Sequence, residues 1–242
     1  MGIENTEWRG LEEFLRLNGW TMESGQIKLL HLYGRMLLEG NRLKNLTSIT
    51  EEREVWRKHF LDSLLLFFAV EVSPGAQVVD VGSGAGLPGI VLKIYRQDLQ
   101  VALVEASRKK AEFTKRVIGI LGLEGIVSLW ARAEDLGRRS DFREKFEVAV
   151  SRGVAAMSVL LEYCLPLVKV GGKVVAYKGP RADEEVKEAG RALQILGGEI
   201  ETVWSGRLPE GGEERRLVVI RKVAPTDTKW PRRPGVPEKR PL

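Results

Sequence analysis

The stretch 77–94 reads QVVDVGSGAGLPGIVLKI, and it decides the fold. A β-branched run over 78–81, interrupted only by Asp80, is followed at once by glycines at 82, 84, 86 and 89. Apolar residues then resume at positions 90, 91, 92 and 94. This pattern predicts a buried strand, a glycine turn and a helix, which is the opening unit of a nucleotide-binding α/β sheet. Glycines allow positive φ and let a ligand lie against bare backbone, while the helix start offers unpaired N–H groups.

Residues near the turn indicate which nucleotide it binds. Residues 84–89 fit G-x-G-x-x-G, which alone is a weak indication of a dinucleotide. We expect Asp80 to end the strand with its carboxylate in the cleft, where it suits an amine-bearing ligand better than a pyrophosphate. Glu105 closes the next apolar run, VALVE, and is placed to bond ribose hydroxyls in NAD and S-adenosylmethionine (SAM) enzymes alike. The two acids together favour SAM over NAD, and a glycine loop without a ligand is the remaining alternative.

Composition narrows the class of protein. The 242 residues are 43% hydrophobic and 29% charged, which is ordinary for a soluble globule with one large α/β domain and an appendage. Cys164 is the only cysteine, so an intrachain disulfide and a cysteine-rich zinc site are excluded. The net charge of +5 permits an anionic partner. No apolar run has membrane-spanning length and the N-terminus lacks a signal-peptide pattern, so we expect a cytoplasmic protein without membrane contact or a metal site.

The remaining sequence divides into three parts. Residues 1–73 carry apolar residues at helical spacing, which predicts an N-terminal helical extension. Over 74–223, predicted strands and helices alternate, a single long helix is expected at 182–196, and the last two strand-like runs flank a short turn. Runs that close together form an antiparallel pair. The pattern predicts an α/β, Rossmann-like SAM-dependent methyltransferase fold, with a seven-stranded, mostly parallel sheet and an antiparallel terminal hairpin.

Residues 224–242 form a basic, proline-rich C-terminal tail. From position 221 onward seven Lys or Arg residues oppose two acids, a net of +5 that equals the excess of the whole chain. Proline at this density disfavours helices and sheet ladders, so we expect an extended tail that contributes little to the fold and follows an RNA backbone. The alternatives are a solvated terminus and a structural strap held by Trp230.

Several motifs occur in a characteristic order. They are NLTSIT at 45–50, HFLDSL at 59–64, VVDVGSGAGLPGI at 78–90, AE at 133–134, SRGVA at 151–155, YKG at 177–179 and PRRPGVPEKRPL at 231–242. In this order they resemble the bacterial 16S rRNA guanine-N7 methyltransferase G family, also called glucose-inhibited division protein B. The resemblance implies SAM as methyl donor, N7 of guanine 527 of 16S rRNA as acceptor, and the rRNA or the small ribosomal subunit as partner.

The resemblance also implies which residues contact the donor. The matching positions are Gly82, Leu87, Glu105, Ala106, Ser107, Ala133, Glu134 and Arg152. The residues themselves add Asp80 and Gly84 to this predicted cofactor site. SRGVA departs from the commoner SRAVA, and Gly153 loosens the backbone that follows Arg152.

The chemistry of guanine N7 sets what the catalytic site requires. N7 has an in-plane lone pair and bears no proton, so holding it in line with the methyl group suffices and no general base is expected. The catalytic candidates are Arg152 and Lys178, which follow the fourth and fifth strands, and His59, which shares a helical face with Asp62. We expect Lys178 to steady a phosphate or guanine O6, and His59 to pair with Asp62 or to contact RNA. Cys164 lies in an apolar run and is expected to be a core residue.

Two other functions stay open from the sequence. An NAD(P)-dependent oxidoreductase would need a Tyr-x-x-x-Lys motif or a positioned histidine, yet Tyr163 is followed four residues on by Leu167. A non-catalytic RNA-binding protein with the same fold is disfavoured by Asp80, Glu105 and the intact glycines. Whichever function holds, we expect the protein to be a monomer.

Overall fold

The computed structural model describes residues 6–44, 46–210 and 212–242. Helices α1 (Thr6–Leu17) and α2 (Ser24–Lys44) come first. A second helical run then comprises α3 (Glu52–Val55), a π-helix (Trp56–Leu61), α4 (Asp62–Leu64) and α5 (Leu66–Ala69). The helical character predicted for this part is confirmed in the described residues, whereas Asn45 of the NLTSIT motif lies outside them.

A seven-stranded sheet follows, in the spatial order β3-β2-β1-β4-β5-β7-β6. Its strands are β1 (Gln77–Val81), β2 (Gln100–Glu105), β3 (Ile126–Trp130), β4 (Phe146–Arg152), β5 (Val168–Lys178), β6 (Gly198–Arg207) and β7 (Glu214–Lys222). β1 to β5 pair in parallel, while β7 pairs antiparallel with both β5 and β6. The predicted mostly parallel sheet with an antiparallel terminal hairpin is therefore confirmed.

Within the described part of the chain, seven short to medium helices connect and cover the strands. They are α6 (Gly89–Tyr95), α7 (Arg108–Leu121), α8 (Ala133–Leu136), α9 (Met157–Cys164), α10 (Ala182–Glu188), α11 (Gly190–Leu196) and α12 (Val236–Lys239). The single long helix expected over 182–196 is wrong, because Ala189 has non-helical backbone angles (φ −84°, ψ 0°) and separates two helices. Among the described helices, none has the length and apolarity that a membrane span requires.

The sheet separates two apolar cores. On one face the N-terminal helices pack against the strands, with fully buried side chains such as Leu37 and Phe60 in the same cluster as Val78. On the other face α9 and α11 cover the sheet, and Cys164 is fully buried there with Val79, as a core residue. Burial of apolar surface on both faces fixes the strand ends that carry the site.

The C-terminal segment 224–242 is bonded to the domain, which agrees with the alternative of a structural strap, and we call it the C-terminal strap. The Thr226 hydroxyl donates to the Leu196 carbonyl at 2.8 Å, and Arg232 forms an ion pair with Glu162, which is fully buried. Pro237 is buried in α12. The expectation that this segment contributes little to the fold is wrong, because Thr226 and Arg232 donate to acceptors of the domain and Pro237 is buried.

Candidate active site

The glycine turn that follows β1 is fastened to β2 and to the N-terminal helices. The Gly82 N–H donates to the Val104 carbonyl at 2.9 Å, and the Tyr33 hydroxyl donates to the Ala85 carbonyl at 2.9 Å. Gly82 has φ of 72°, and a Cβ on it would lie 2.3 Å from a methyl group of Val154. The turn therefore requires glycine at this position both for its backbone angle and for space.

Glu105 lies at the carboxyl end of β2, next to the turn. Its two carboxylate oxygens accept the Gly84 N–H at 2.9 Å and the Ser107 N–H at 2.7 Å. The residue is 9% exposed, so it is fixed in place with only one edge open. Each carboxylate oxygen has two lone pairs, and the unused ones are available for hydroxyl groups of a ligand. The structure thus brings Glu105, Gly84 and Ser107 together as predicted.

Asp80 lies deeper than expected. It has no exposed surface, one oxygen accepts the Gly89 N–H at 2.8 Å, and the expectation that it points into an open cleft is wrong. Burial raises the pKa of this carboxyl to about 7. Its second oxygen, Oδ1, and the Ser83 hydroxyl are buried without a hydrogen-bond partner among the described residues. Two orphaned polar atoms beside a glycine turn are a reason to expect a polar ligand there.

A small cavity of about 80 Å³ opens beside the ends of β2 and β3, and we call it the inner pocket. Its lining includes Gly82, Ala106, Ala133, Glu134, Val154, Tyr163 and Glu238. The predicted residues Ala106, Ala133 and Glu134 are thus brought together. Glu134 is 2% exposed, and burial together with the nearby Glu134 and Glu238 raises the pKa of the Tyr163 hydroxyl, which stays protonated.

A larger cavity of about 510 Å³ lies on the other side of residues 152–154, and we call it the outer pocket. Its lining includes the buried carboxylate of Asp62, which accepts Arg152 Nη1 at 2.9 Å on one oxygen and Arg215 Nε at 2.8 Å on the other. Further lining residues are Thr47, Ser48, Lys58, His59, Gly153, Tyr177, Lys178 and Gly179. Two guanidinium groups shared by one carboxylate leave the outer pocket with excess positive charge, which suits a polyanion.

His59 lies in the wall of the outer pocket as a neutral group. Its Nε2 is 2.9 Å from the Thr47 hydroxyl, and its Nδ1 is 3.3 Å from Arg152 Nη2. Burial and then the charge of Arg152 lower the pKa of the imidazole to about 3. Arg152 stands between His59 and Asp62 and contacts both, so the described residues show a link through Arg152 in place of the expected direct His59–Asp62 pair.

Lys178 reaches the same edge of the sheet, but its ammonium group is already bonded. Its Nζ donates to the Ala155 carbonyl at 2.7 Å and to Glu185 Oε2 at 2.6 Å, and the side chain is 9% exposed. Contrary to expectation, the structure directs this charge to α10 and not to the centre of the outer pocket. Of the two predicted cationic residues that line the outer pocket, Arg152 is the one that Asp62 holds there.

A comparison with known protein families identifies the family of this chain. Residues 26–218 match the family model described as rRNA small subunit methyltransferase G. The chain belongs to this family. The ribosomal RNA small subunit methyltransferase G of Moorella thermoacetica is 52% identical over 234 residues, which cover 97% of this chain and 98% of the relative. That of Pelotomaculum thermopropionicum is 50% identical and covers 96% and 97%. Membership makes the chain a methyltransferase and sets aside the NAD(P)-dependent oxidoreductase and the non-catalytic RNA-binding protein.

Solved structures extend the likeness to the fold. A geranyl diphosphate methyltransferase in complex with GPP and sinefungin has a TM-score of 0.57 at 16% identity, covering 82% of this chain and all of that one. A SAM-dependent methyltransferase from Aquifex aeolicus has a TM-score of 0.56 at 16% identity, covering 76% and 98%. The methyltransferase G family member described here therefore has a Rossmann-like methyltransferase fold.

Sequence reasoning missed several residues that line the pockets of this family member, among them Arg215, Val154, Tyr163 and Glu238. Arg215 lies on the antiparallel strand β7, 153 positions from its partner Asp62, and no local pattern links them. Val154 lies in the motif SRGVA, and Tyr163 lies in the apolar run around Cys164. The motif SRGVA could have indicated Val154, since this residue directly follows Gly153.

Proposed function

We propose that this protein transfers the methyl group of SAM to N7 of a guanine in 16S rRNA, which by the family resemblance is guanine 527. The observation that carries the proposal is the arrangement of two unlike pockets on either side of residues 152–154. The inner pocket is lined by Gly82 of the glycine turn and by the carboxylates of Glu134 and Glu238, whereas two guanidinium groups held by Asp62 line the outer pocket. A cofactor and an anionic substrate can then meet at the carboxyl edge of the sheet, where α/β folds bind ligands.

The residues present fit SAM. Glu105 offers unused lone pairs to ribose hydroxyls, and the orphaned oxygen of buried Asp80 offers an acceptor to the amino group of the methionine part. Gly84 and Gly153 have no neighbour close to the position of a missing Cβ, which leaves bare backbone for the ligand. When bound, SAM supplies an electrophilic methyl group on a sulfonium.

The chain's own residues then position the nucleobase. Arg152 and Arg215 are held by Asp62 and can donate to a phosphate or to guanine O6 without removing the lone pair of N7. No residue has to accept a proton, because N7 bears none. His59 is neutral above about pH 3 and is already engaged with Thr47 and Arg152, so its place is that of a positioning residue. The proposed mechanism is proximity and orientation without a general base.

The partner proposed for the outer pocket is 16S rRNA, either free or within the small ribosomal subunit. We further propose a cytoplasmic monomer. Purified protein with methyl-labelled SAM should label 16S rRNA, and mass mapping of the product should find N7-methylguanine. Parallel reactions with naked 16S rRNA and with small subunits from an unmethylated strain identify the accepted form. Label at a ring carbon or an exocyclic amine, or no label in either substrate, would refute the proposal.

Cofactor binding has its own test. Glu105→Ala should weaken binding of SAM roughly 10- to 100-fold, since hydrogen bonds to a charged group are worth about 1.5–3 kcal/mol. Glu188→Ala, on the exposed surface of α10, is the matched control and should leave the affinity unchanged. Titration calorimetry measures both. Equal affinities for the wild type and Glu105→Ala would remove Glu105 from the cofactor site.

A further inference from the structure

The C-terminal strap lies against the wall of the inner pocket. The Gly235 N–H donates to Glu134 Oε1 at 3.2 Å, and this is one of the residues expected at the cofactor. Glu238, on α12, lines the inner pocket itself and accepts the Tyr163 hydroxyl at 3.2 Å. The strap therefore supplies one side of the pocket from a segment 75 positions away from Tyr163.

The strap is held firmly enough to form part of a binding site. Glu162 is fully buried and accepts both the backbone N–H and the guanidinium of Arg232, with contacts of 2.5–3.1 Å. Arg138 donates to the Pro231 carbonyl at 2.9 Å, and Arg143 donates to the Trp230 carbonyl at 2.8 Å. These bonds lie immediately before α12, so they fix where Glu238 stands.

The strand order indicates which part of the cofactor reaches Glu238. If Glu105 at the end of β2 holds the ribose, the sulfonium must face the outer pocket beyond β1 and β4. The base then extends the other way, toward β3, and this is where the inner pocket lies. Adenine presents an exocyclic amino group, which is a donor and needs an acceptor.

Two carboxylates are available near that end of the inner pocket. One oxygen of Glu134 accepts the Gly235 N–H, and Glu134 is buried. Glu238 is exposed at the rim, and one of its oxygens accepts the Tyr163 hydroxyl, which fixes the carboxylate while its other oxygen stays available. We propose that the C-terminal strap is part of the SAM site and that Glu238 accepts a hydrogen bond from the amino group of the adenine. This inference rests on the proposed function.

The test uses two ligands that differ at position 6 of the purine and, with it, at N1, which is an acceptor in adenine and carries a hydrogen in hypoxanthine. S-adenosylhomocysteine carries the amino group, whereas S-inosylhomocysteine has a carbonyl oxygen in its place. Titration calorimetry of the full chain should show that wild type prefers the adenosyl compound. Glu238→Ala should weaken that compound roughly 5- to 20-fold and leave the inosyl compound within about twofold. Glu238→Gln should also reduce the preference for the adenosyl compound relative to wild type, because the amide N–H of the glutamine can donate to the carbonyl oxygen of the inosyl base.

Lys239→Ala is the matched control, since Lys239 is exposed on the same short helix and does not line the inner pocket. It should bind both ligands as wild type does. The inference is overturned if Glu238→Ala keeps the wild-type preference for the adenosyl compound. It is also overturned if Lys239→Ala loses as much affinity for that compound as Glu238→Ala does, or if Glu238→Ala changes only the affinity for RNA. These results leave the proposed function intact if wild type binds S-adenosylhomocysteine. Failure of wild type to bind it would overturn the proposed function as well.

Discussion

Arg232→Ala should destabilise the whole protein, although position 232 lies in a proline-rich terminal segment. The substitution removes the guanidinium that neutralises Glu162, a carboxylate with no exposed surface. Removing one partner of a buried ion pair costs about 3–5 kcal/mol, and the 23% exposure of the Arg232 side chain places the cost for this pair at about 3 kcal/mol. At roughly 2–4 °C per kcal/mol for a domain of this size, the melting temperature should fall by about 6–12 °C.

Two further variants make the reasoning refutable. Arg233→Ala removes a neighbouring exposed arginine and should leave the melting temperature within about 1 °C of wild type. The double variant Arg232→Met with Glu162→Gln removes both charges and keeps an acceptor for the backbone N–H of residue 232, so it should recover most of the loss. Scanning calorimetry at fixed salt measures all of them. An unaltered melting temperature in Arg232→Ala would show that the strap is not anchored as described.

Three other outcomes follow from the site. Asp62→Asn should slow rRNA methylation roughly 10- to 100-fold by loosening Arg152 and Arg215, while S-adenosylhomocysteine affinity measured by calorimetry stays within about twofold. His59→Gln should not alter the pH profile of single-turnover methylation between about pH 6 and 9, because the pKa of His59 is about 3. A wild-type rate that changes with a pKa near 6.5, and loses this change in the variant, would contradict the expectation. Burial raises the pKa of Asp80, so the folded protein binds the proton of this carboxyl more tightly than the unfolded chain does, and stability falls as pH rises from about 4 to about 7. Asp80→Asn should therefore exceed wild type in the free energy of unfolding by up to about 4 kcal/mol at pH 8 and equal it near pH 4, as measured by denaturant unfolding.

The fold was predictable where the signal is local. The run of valines before the glycines, the acid that closes VALVE and the two strand-like runs around a short turn each specify an element through neighbours in sequence. Gly190 was also a usable signal, since it marks the break between α10 and α11 that the sequence interpretation overlooked. A propensity argument works in these places because the interactions that decide the structure lie within a few residues.

The site was predictable only in part, because its centre depends on distant contacts. Arg215 reaches Asp62 from the last strand of the sheet. The prediction for the strap was wrong for the same reason. Its charge suggested binding to a phosphate backbone, yet Arg232 forms an ion pair with Glu162, a buried residue of α9. Net charge along a segment says nothing about which acids the fold brings to it.

The contact between Gly82 and Val154 has a consequence for genetic suppression. A side chain at position 82 meets two separate obstacles, a methyl group 2.3 Å away and a left-handed backbone angle of 72° that costs an ordinary residue about 1–2 kcal/mol. A second mutation such as Val154→Ala removes the first obstacle and leaves the torsional one. Revertants of Gly82→Ala should therefore restore the glycine codon, and intragenic suppressors at position 154 should give only partial recovery.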